Sequence, residues 1–394
     1  MKISLIFNLI FFMMLTIISC EQKVQEKESP ESVSNGIGVR EGYRLTVVQD
    51  SIKNPRFLKL SPDGTLFVSL PGNGEIKACR DEDGDGYYEK VATFVKGHPT
   101  VHGMTWHDGW LWFTETGAIF RARDLDGDGI SDEKETMIPD GELPKGGGHW
   151  WRSILILDNR LYTSIGCSGN ITEEGMTERL KIWSFTLDGS DKSLFASGLR
   201  NTEKLLARPG TSEIWGMDHG SDWFGGYLEE KDSLSGQPIT DFNPPCELNH
   251  YVQDGFYGHP YIVGNKIPRY EYMDRPDIVA LAKKTVPPAW SAGAHWAPNG
   301  FNFYTGDQFP ADCKGDIFAA YHGSWNRSEK AGYCVTRILF DQGNPYGELK
   351  YVNFLSEGGE VLGRPVDVEV TADGSLLISD DFRSKIYKLT YIGE

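Results

Sequence analysis

The sequence is poor in cysteine and short of positive charge. Six cysteines occur in 394 residues, and none forms a Cys-x-x-Cys pair. Zinc-ribbon and dithiol redox motifs are therefore absent, and so is the Cys-x-x-Cys-His attachment site of a c-type haem. Lysine and arginine number 39 against 56 acidic residues, a net charge of −17. Phosphate binding needs clustered cations, so nucleic acid is excluded as a partner and a neutral or cationic one is favoured. What is abundant is glycine (45), tryptophan (11) and tyrosine (17), with 39% hydrophobic residues overall. That is enough apolar material for a sizeable core, which excludes wholesale disorder.

The N-terminus stands apart from the fold. After Met1-Lys2, an apolar run extends from Ile3 to Ile18 and ends in Ser19-Cys20. This is a secretory leader rather than a spanning helix. A cysteine directly after a small residue resembles the bacterial lipobox, which implies cleavage after residue 19 and lipidation of Cys20. Residues 20–38 then read as a solvated tether, rich in Glu, Lys, Ser and Gln, and 39–394 as the folded unit. The expected location is the bacterial cell envelope, anchored to the membrane through the lipid and facing the periplasm or the exterior. Five cysteines remain beyond the leader, in a compartment that permits disulfides; the odd number leaves at least one thiol free.

One pattern recurs along the unit: a tight turn, an apolar strand, another turn, another strand. Its copies include Ser61-Pro-Asp-Gly-Thr-Leu-Phe-Val, His107-Asp-Gly-Trp-Leu-Trp-Phe and Ala372-Asp-Gly-Ser-Leu-Leu-Ile. Asp-Gly and Asp-Asn steps tolerate positive φ and make hairpin turns. The turns fall at Asp63, Asp108, Asp158, Gly210, Gly315 and Asp373, with spacings of 45, 50, 52, 105 and 58. Four of these five spacings match a propeller blade with its loops. The spacing of 105 lacks a clear strand copy. The expectation is all-β: a six-bladed β-propeller with a long insertion between blades four and five.

In a propeller, loops of equal phase meet at one central mouth. Gly146-Gly-Gly-His149-Trp-Trp-Arg152, Gly198-Leu-Arg200-Asn201, Gly293-Ala-His295-Trp296 and Gly363-Arg364-Pro-Val-Asp367 share that phase. A His, two Arg and an Asn at one mouth suit an anionic, oxygen-rich ligand with a base beside it. A metal-dependent hydrolase would need several carboxylates there, and the candidates are mostly His and Arg.

These stretches carry a family resemblance. With Glu247-Leu-Asn249, Gly255-Phe-Tyr257-Gly, His322-Gly-Ser-Trp-Asn-Arg-Ser328 and Asp380-Asp381, the chain from about Arg44 to Tyr391 resembles the soluble glucose/sorbosone dehydrogenases. Those are six-bladed propellers that use pyrroloquinoline quinone (PQQ). The resemblance implies oxidation of an aldose or related sugar, with electrons passed to an external acceptor such as a cytochrome. It implies His149 as general base, Arg200 as the group polarising the quinone oxygen, Asn201 as a cofactor hydrogen-bond donor and Arg364 as partner of a cofactor carboxylate. Glucose-oxidising members place a Lys against the cofactor in blade five; here Arg327 is the substitute. It further implies a catalytic calcium near Asp218 and Asp222, and a structural calcium at Glu247 and the Tyr257 carbonyl. The alternative class is a non-catalytic propeller lipoprotein that binds glycan or protein.

One loop has calcium-loop spacing on its own account. Asp124, Asp126, Asp128, Ile130, Asp132 and Glu135 occupy EF-hand positions 1, 3, 5, 7, 9 and 12. Asp81-Glu-Asp83-Gly-Asp85-Gly86 is an incomplete copy, with Ala92 at position twelve. With strands on either side, either loop would act as a structural clip.

Overall fold

A computed structural model describes residues 36–224 and 238–393. The leader, Cys20 and most of the tether lie outside the described residues. The described strands form six antiparallel blades. Blade one comprises Leu58–Leu60, Leu66–Leu70, Glu75–Arg80 and Lys90–Lys96, and blade two Met104–His107, Trp110–Thr114, Ile119–Arg123 and Glu133–Ile138. Blade three comprises Leu155–Leu157, Arg160–Ile165, Lys181–Thr186 and Ser193–Ser197. Blade four comprises Thr202–Ala207, Ile214–Asp218, Pro245–Tyr251 and Trp290–Ala294. Blade five comprises Pro298–Phe303, Ile317–Tyr321, Cys334–Asp341 and Asn344–Asn353. Blade six takes Pro365–Val370, Leu376–Asp380 and Lys385–Tyr391 from the end of the chain and Tyr43–Gln49 from its start. Pairing of Tyr43 with Tyr391 closes the ring, so no blade is left with an open join.

The first strand of each blade touches the first strands of its neighbours, all the way round. Second strands are covered on both faces. Those of blades one, two, four, five and six are buried at every position. That is why Trp110-Leu-Trp-Phe-Thr114 reads as a continuous apolar run rather than an alternating one. The core lies between blades, with Leu111, Phe113 and Val101 packed on Phe67 and Ile76 of the preceding blade. Turn chemistry follows the sequence: Asp108 and Asp158 adopt φ of 48° and 50°, a region Asp and Asn tolerate.

The extra residues lie inside blade four, not between blades four and five, which are joined by only His295-Trp-Ala297. Residues 219–244 connect its second and third strands, and 252–289 its third and fourth. Gly255–Phe256 pairs in parallel with the outer strand of blade three, and the stretch around Pro276 to Lys284 forms the helix Ile278–Lys284. The recurring turn marks one place per blade, so spacing locates an excess without saying which later connection holds it. The five cysteines beyond the leader are all buried and free.

Candidate active site

Two sets of loops meet at one end of the ring: those that open each first strand and those that leave each second strand. Arg56, His102, Arg200 and Trp296 each stand two residues ahead of a first strand. The side chains of Arg56 and His102 share a floor. Arg56 bridges Glu203 (3.2 Å) and Asp381 (2.9 Å). His102 Nε2 lies 3.3 Å from the same Glu203, whose Oε1 accepts from Asn201 Nδ2 at 3.2 Å. His322 Nε2 faces both oxygens of Asp381, at 2.9 and 3.1 Å. Trp151 stacks on His102 with ring centres 4.5 Å apart, and Arg56 sits over the same indole. Burial raises the energy of each carboxylate, but His102 and Arg56 hold Glu203 well below the usual range. Against the same opposition, His322 and Arg56 hold Asp381 down at about 2.

Above this floor stand His149 and Arg200. His149 Nδ1 lies 2.9 Å from the Cys167 carbonyl. A carbonyl only accepts, so Nδ1 carries the proton and Nε2 keeps its lone pair. Burial, and then the charge of Arg200, push the imidazole down to about 3, so the ring is neutral at physiological pH. Arg200 is buried, with Nε on Asn170 O and Nη2 shared between Asn170 Oδ1 (2.9 Å) and Asp222 Oδ1 (3.0 Å). Arg364 gives only Nε to the protein among the described residues, to His322 O at 3.2 Å. Its two terminal nitrogens are left for a ligand.

Asp218 accepts three hydrogen bonds. Oδ2 accepts the Arg200 N–H at 2.7 Å, and Oδ1 accepts the Asn201 N–H at 2.6 Å and the Thr202 hydroxyl at 3.1 Å. It fixes the backbone that presents Arg200 and Asn201; burial pushes it up to about 6 in spite of those donors. Asp222 is engaged with Arg200 through one oxygen. Glu247 accepts from Gly264 N and Asn249 Nδ2, both neutral. Burial and the charge of Asp218 push it up to about 8. The Tyr257 hydroxyl donates to His250 O at 2.5 Å, and its ring packs on Tyr251.

Arg327 is held by carbonyls of the neighbouring loops. Its guanidinium binds the Asp241 and Ala294 carbonyls and lies over Phe242, so it fastens the segment at residues 238–242. The reason is local: Ser328 bonds Asp241 as well, and the two neighbours turn together toward that segment.

The acidic loops are on the opposite face. Ligand oxygens of Asp124, Asp126 and Asp128 lie within 4.8 Å of one another, as do those of Asp81, Asp83, Asp85 and Glu89. Ile130 closes the first turn by donating its N–H to Asp128 at 2.7 Å. Asp132 accepts the Leu125 N–H at 2.6 Å, and Glu135 is drawn onto strand Glu133–Ile138, 2.5 Å from Arg121. Neither joins the group of three, because a strand rather than a helix follows the loop.

Arg56, His102, Glu203 and Asn170 were not expected from sequence. The two-residue offset ahead of a first strand, shared with Arg200, marks Arg56 and His102. Nothing local marks Asn170.

A closed six-bladed propeller with cations and histidines converging on one mouth, and a neutral imidazole held among them, is the class of molecule defined here. The chain belongs to the TrAA12-like family, which it matches over residues 37–391. It is 27% identical over 381 residues to an uncharacterized protein of Borreliella burgdorferi, covering 92% of each. Among solved structures it is similar to the calcium structure of the Trichoderma reesei member of Carbohydrate-Active Enzymes Family AA12, with TM-score 0.77, 17% identity, 93% of this chain and 99% of that one. It is also similar to the holo form of the PQQ domain of pyranose dehydrogenase from Coprinopsis cinerea, with TM-score 0.75, 18% identity, 92% of this chain and 98% of that one. These likenesses bear out the fold that the sequence motifs implied.

Proposed function

We propose that the chain is a PQQ-dependent sugar dehydrogenase of the bacterial cell envelope, anchored through Cys20. The observation that carries this reading is the pairing of a neutral His149, lone pair on Nε2, with buried Arg200 in the same mouth. The donor set suits the cofactor. PQQ is a planar tricarboxylate, and Arg56, Arg200 and Arg364 supply fixed cations, with Arg56 Nε buried and unbonded and Arg364 offering a free edge. When bound, PQQ supplies the hydride acceptor.

The residues of this chain do the rest. His149 Nε2 takes the hydroxyl proton of the sugar as hydride leaves the same carbon. Arg200, locked by Asn170 and Asp222, presents positive charge where negative charge develops, without reorganising. Trp151 and His102 wall the floor against water. A calcium at the mouth would be held by Asp222, which has one oxygen on Arg200, more readily than by Asp218, which already accepts three hydrogen bonds, and would supply further positive charge there. Glu247, a carboxylate with only neutral donors, and the Tyr257 carbonyl remain the candidate structural calcium site. Electrons leave to an external acceptor such as a cytochrome. The test is PQQ titration of the chain from residue 37, with calcium, followed by quinone absorbance. Saturable binding weakened at least tenfold in Arg364→Ala supports the reading. No binding by the folded chain overturns it and leaves a glycan- or protein-binding propeller.

A further inference from the structure

His149 stands on a loop that ought to be loose. Residues 139–154 contain no strand or helix, and Gly146 and Gly147 adopt φ of 71° and 82°. Three successive glycines give such a segment many conformations, yet a general base must be held within about half an ångström of its working position.

Two buried arginines hold it. Arg152, 0% exposed, folds back under its own loop. Its Nε donates to Thr116 O (3.1 Å), Nη1 to Trp151 O (3.1 Å) and His149 O (3.4 Å), and Nη2 to Pro144 O (2.6 Å). Arg179, 7% exposed, comes from the long loop after the second strand of blade three. Its Nη2 donates to Lys145 O (2.9 Å) and Gly146 O (2.8 Å), and its Nη1 to Gly166 O (3.4 Å). Between them the two guanidiniums take five carbonyls of residues 144–151.

What is unusual is the partners they lack. Among the described residues neither arginine meets a carboxylate, in a chain with 56 of them. The other deeply buried arginines do: Arg200 has Asp222, Arg269 has Glu271 and Arg337 has Asp316. An uncompensated buried charge costs several kcal/mol even after hydrogen bonding. Burial and mutual repulsion push Arg152 down to about 9. A core built for stability alone would use an apolar side chain or a pair; a fork of five N–H groups is the one side chain that fastens several carbonyls of one loop at once. Close packing completes the hold. A Cβ at Gly147 would meet Ser168 Cα at 2.8 Å, and one at Gly166 would meet His149 Cβ at 2.8 Å.

We propose that Arg152 and Arg179 are positioning residues for His149: they fix the loop so that the imidazole stays on the Cys167 carbonyl with Nε2 free. The proposal rests on the reading of His149 as the base, but its test need not.

The experiment follows the ring nitrogens of His149 by 15N NMR in the chain without cofactor, assigned by difference from His149→Gln. In the native chain the ring is expected to be one tautomer, proton on Nδ1, unchanged from pH 8 to pH 5. In Arg152→Met and Arg179→Met the signal should become a mixture that titrates nearer to free imidazole. In PQQ-loaded protein kcat should fall about 100-fold with KM changed less than about threefold, the signature of a misplaced group. Arg337→Met, in blade five, should lower thermal stability and leave the His149 signal alone. If a Met variant fails to fold, Arg152→Lys and Arg179→Lys keep charge and length but lose the fork, and should show the same mixture. Folded variants with the native His149 signal would overturn the proposal. A native chain that has the single tautomer but oxidises no sugar would instead defeat the dehydrogenase reading.

Discussion

The two faces of the ring are built from the same kind of connection and held in opposite ways. On the face with the acidic turns, most side-chain bonds are to near neighbours: Ser61 to Asp63, Thr186 to Asp188 and Thr371 to Asp373 are each two residues apart, while Arg80 reaches Asp124 of the next blade at 3.5 Å. At the mouth, Arg56 reaches partners 147 and 325 residues away. Local bonds set a turn and little else. Long-range bonds between charged groups tie blade to blade, and they exist only once the ring has closed. The contrast teaches where function can sit: on the face where removing one side chain leaves a buried partner in another blade.

Substitutions on the two faces should therefore differ sharply. The largest effect is expected at the mouth, for activity: Arg200→Ala should lower sugar turnover by about 10²–10³, measured as dye reduction with PQQ present. Next comes stability. Glu203→Gln removes a carboxylate shared by Arg56 and His102 and should cost about 3 kcal/mol in urea unfolding. Asp381 gives the same comparison a pH dependence. Its folded value of about 2 lies below the ordinary 3.8, so its contribution is complete above pH 4 and is lost as pH falls through 2. That contribution is about 2 kcal/mol by linkage, and Asp381→Asn should abolish this part of the acid transition. On the turn face, Asp373→Ala loses bonds to Thr371, the Ser375 N–H and the half-exposed Lys388 pair and should cost only about 1 kcal/mol, with turnover unchanged. Asp126→Asn should blunt any rise in thermal midpoint on adding calcium and leave turnover untouched; an equal rise in both chains would remove the loop from the calcium account.

The same contrast explains what could be read in the sequence. Turns are local, so Asp63, Asp108 and Asp373 announced the blades, and the six-bladed ring followed from their spacing. His149, Arg200, Asn201 and Arg364 were legible because blade phase placed them at a common mouth. Arg327 was named by the family resemblance rather than by blade phase, and its acceptors at Asp241 and Ala294 come from segments no local pattern connects to it. Asp218 has the chemistry of a calcium ligand, but it is engaged by the Arg200 and Asn201 N–H groups and the Thr202 hydroxyl, which only the hairpin register reveals. Glu203 and Asn170 gave no sign, since most of their partners come from other loops.

The most direct measurement is the pH dependence of sugar-driven dye reduction by PQQ-loaded native chain beside His149→Ala. With His149 held near 3 rather than its ordinary 6.5, the ring is an unprotonated base throughout the neutral range. The native kcat/KM should therefore show no loss between pH 7 and pH 5, and His149→Ala should be slower by about 10²–10⁴. A native chain that loses activity with a midpoint near 6.5, or a His149→Ala chain as fast as the native, would contradict the mouth as an oxidation site built around that base.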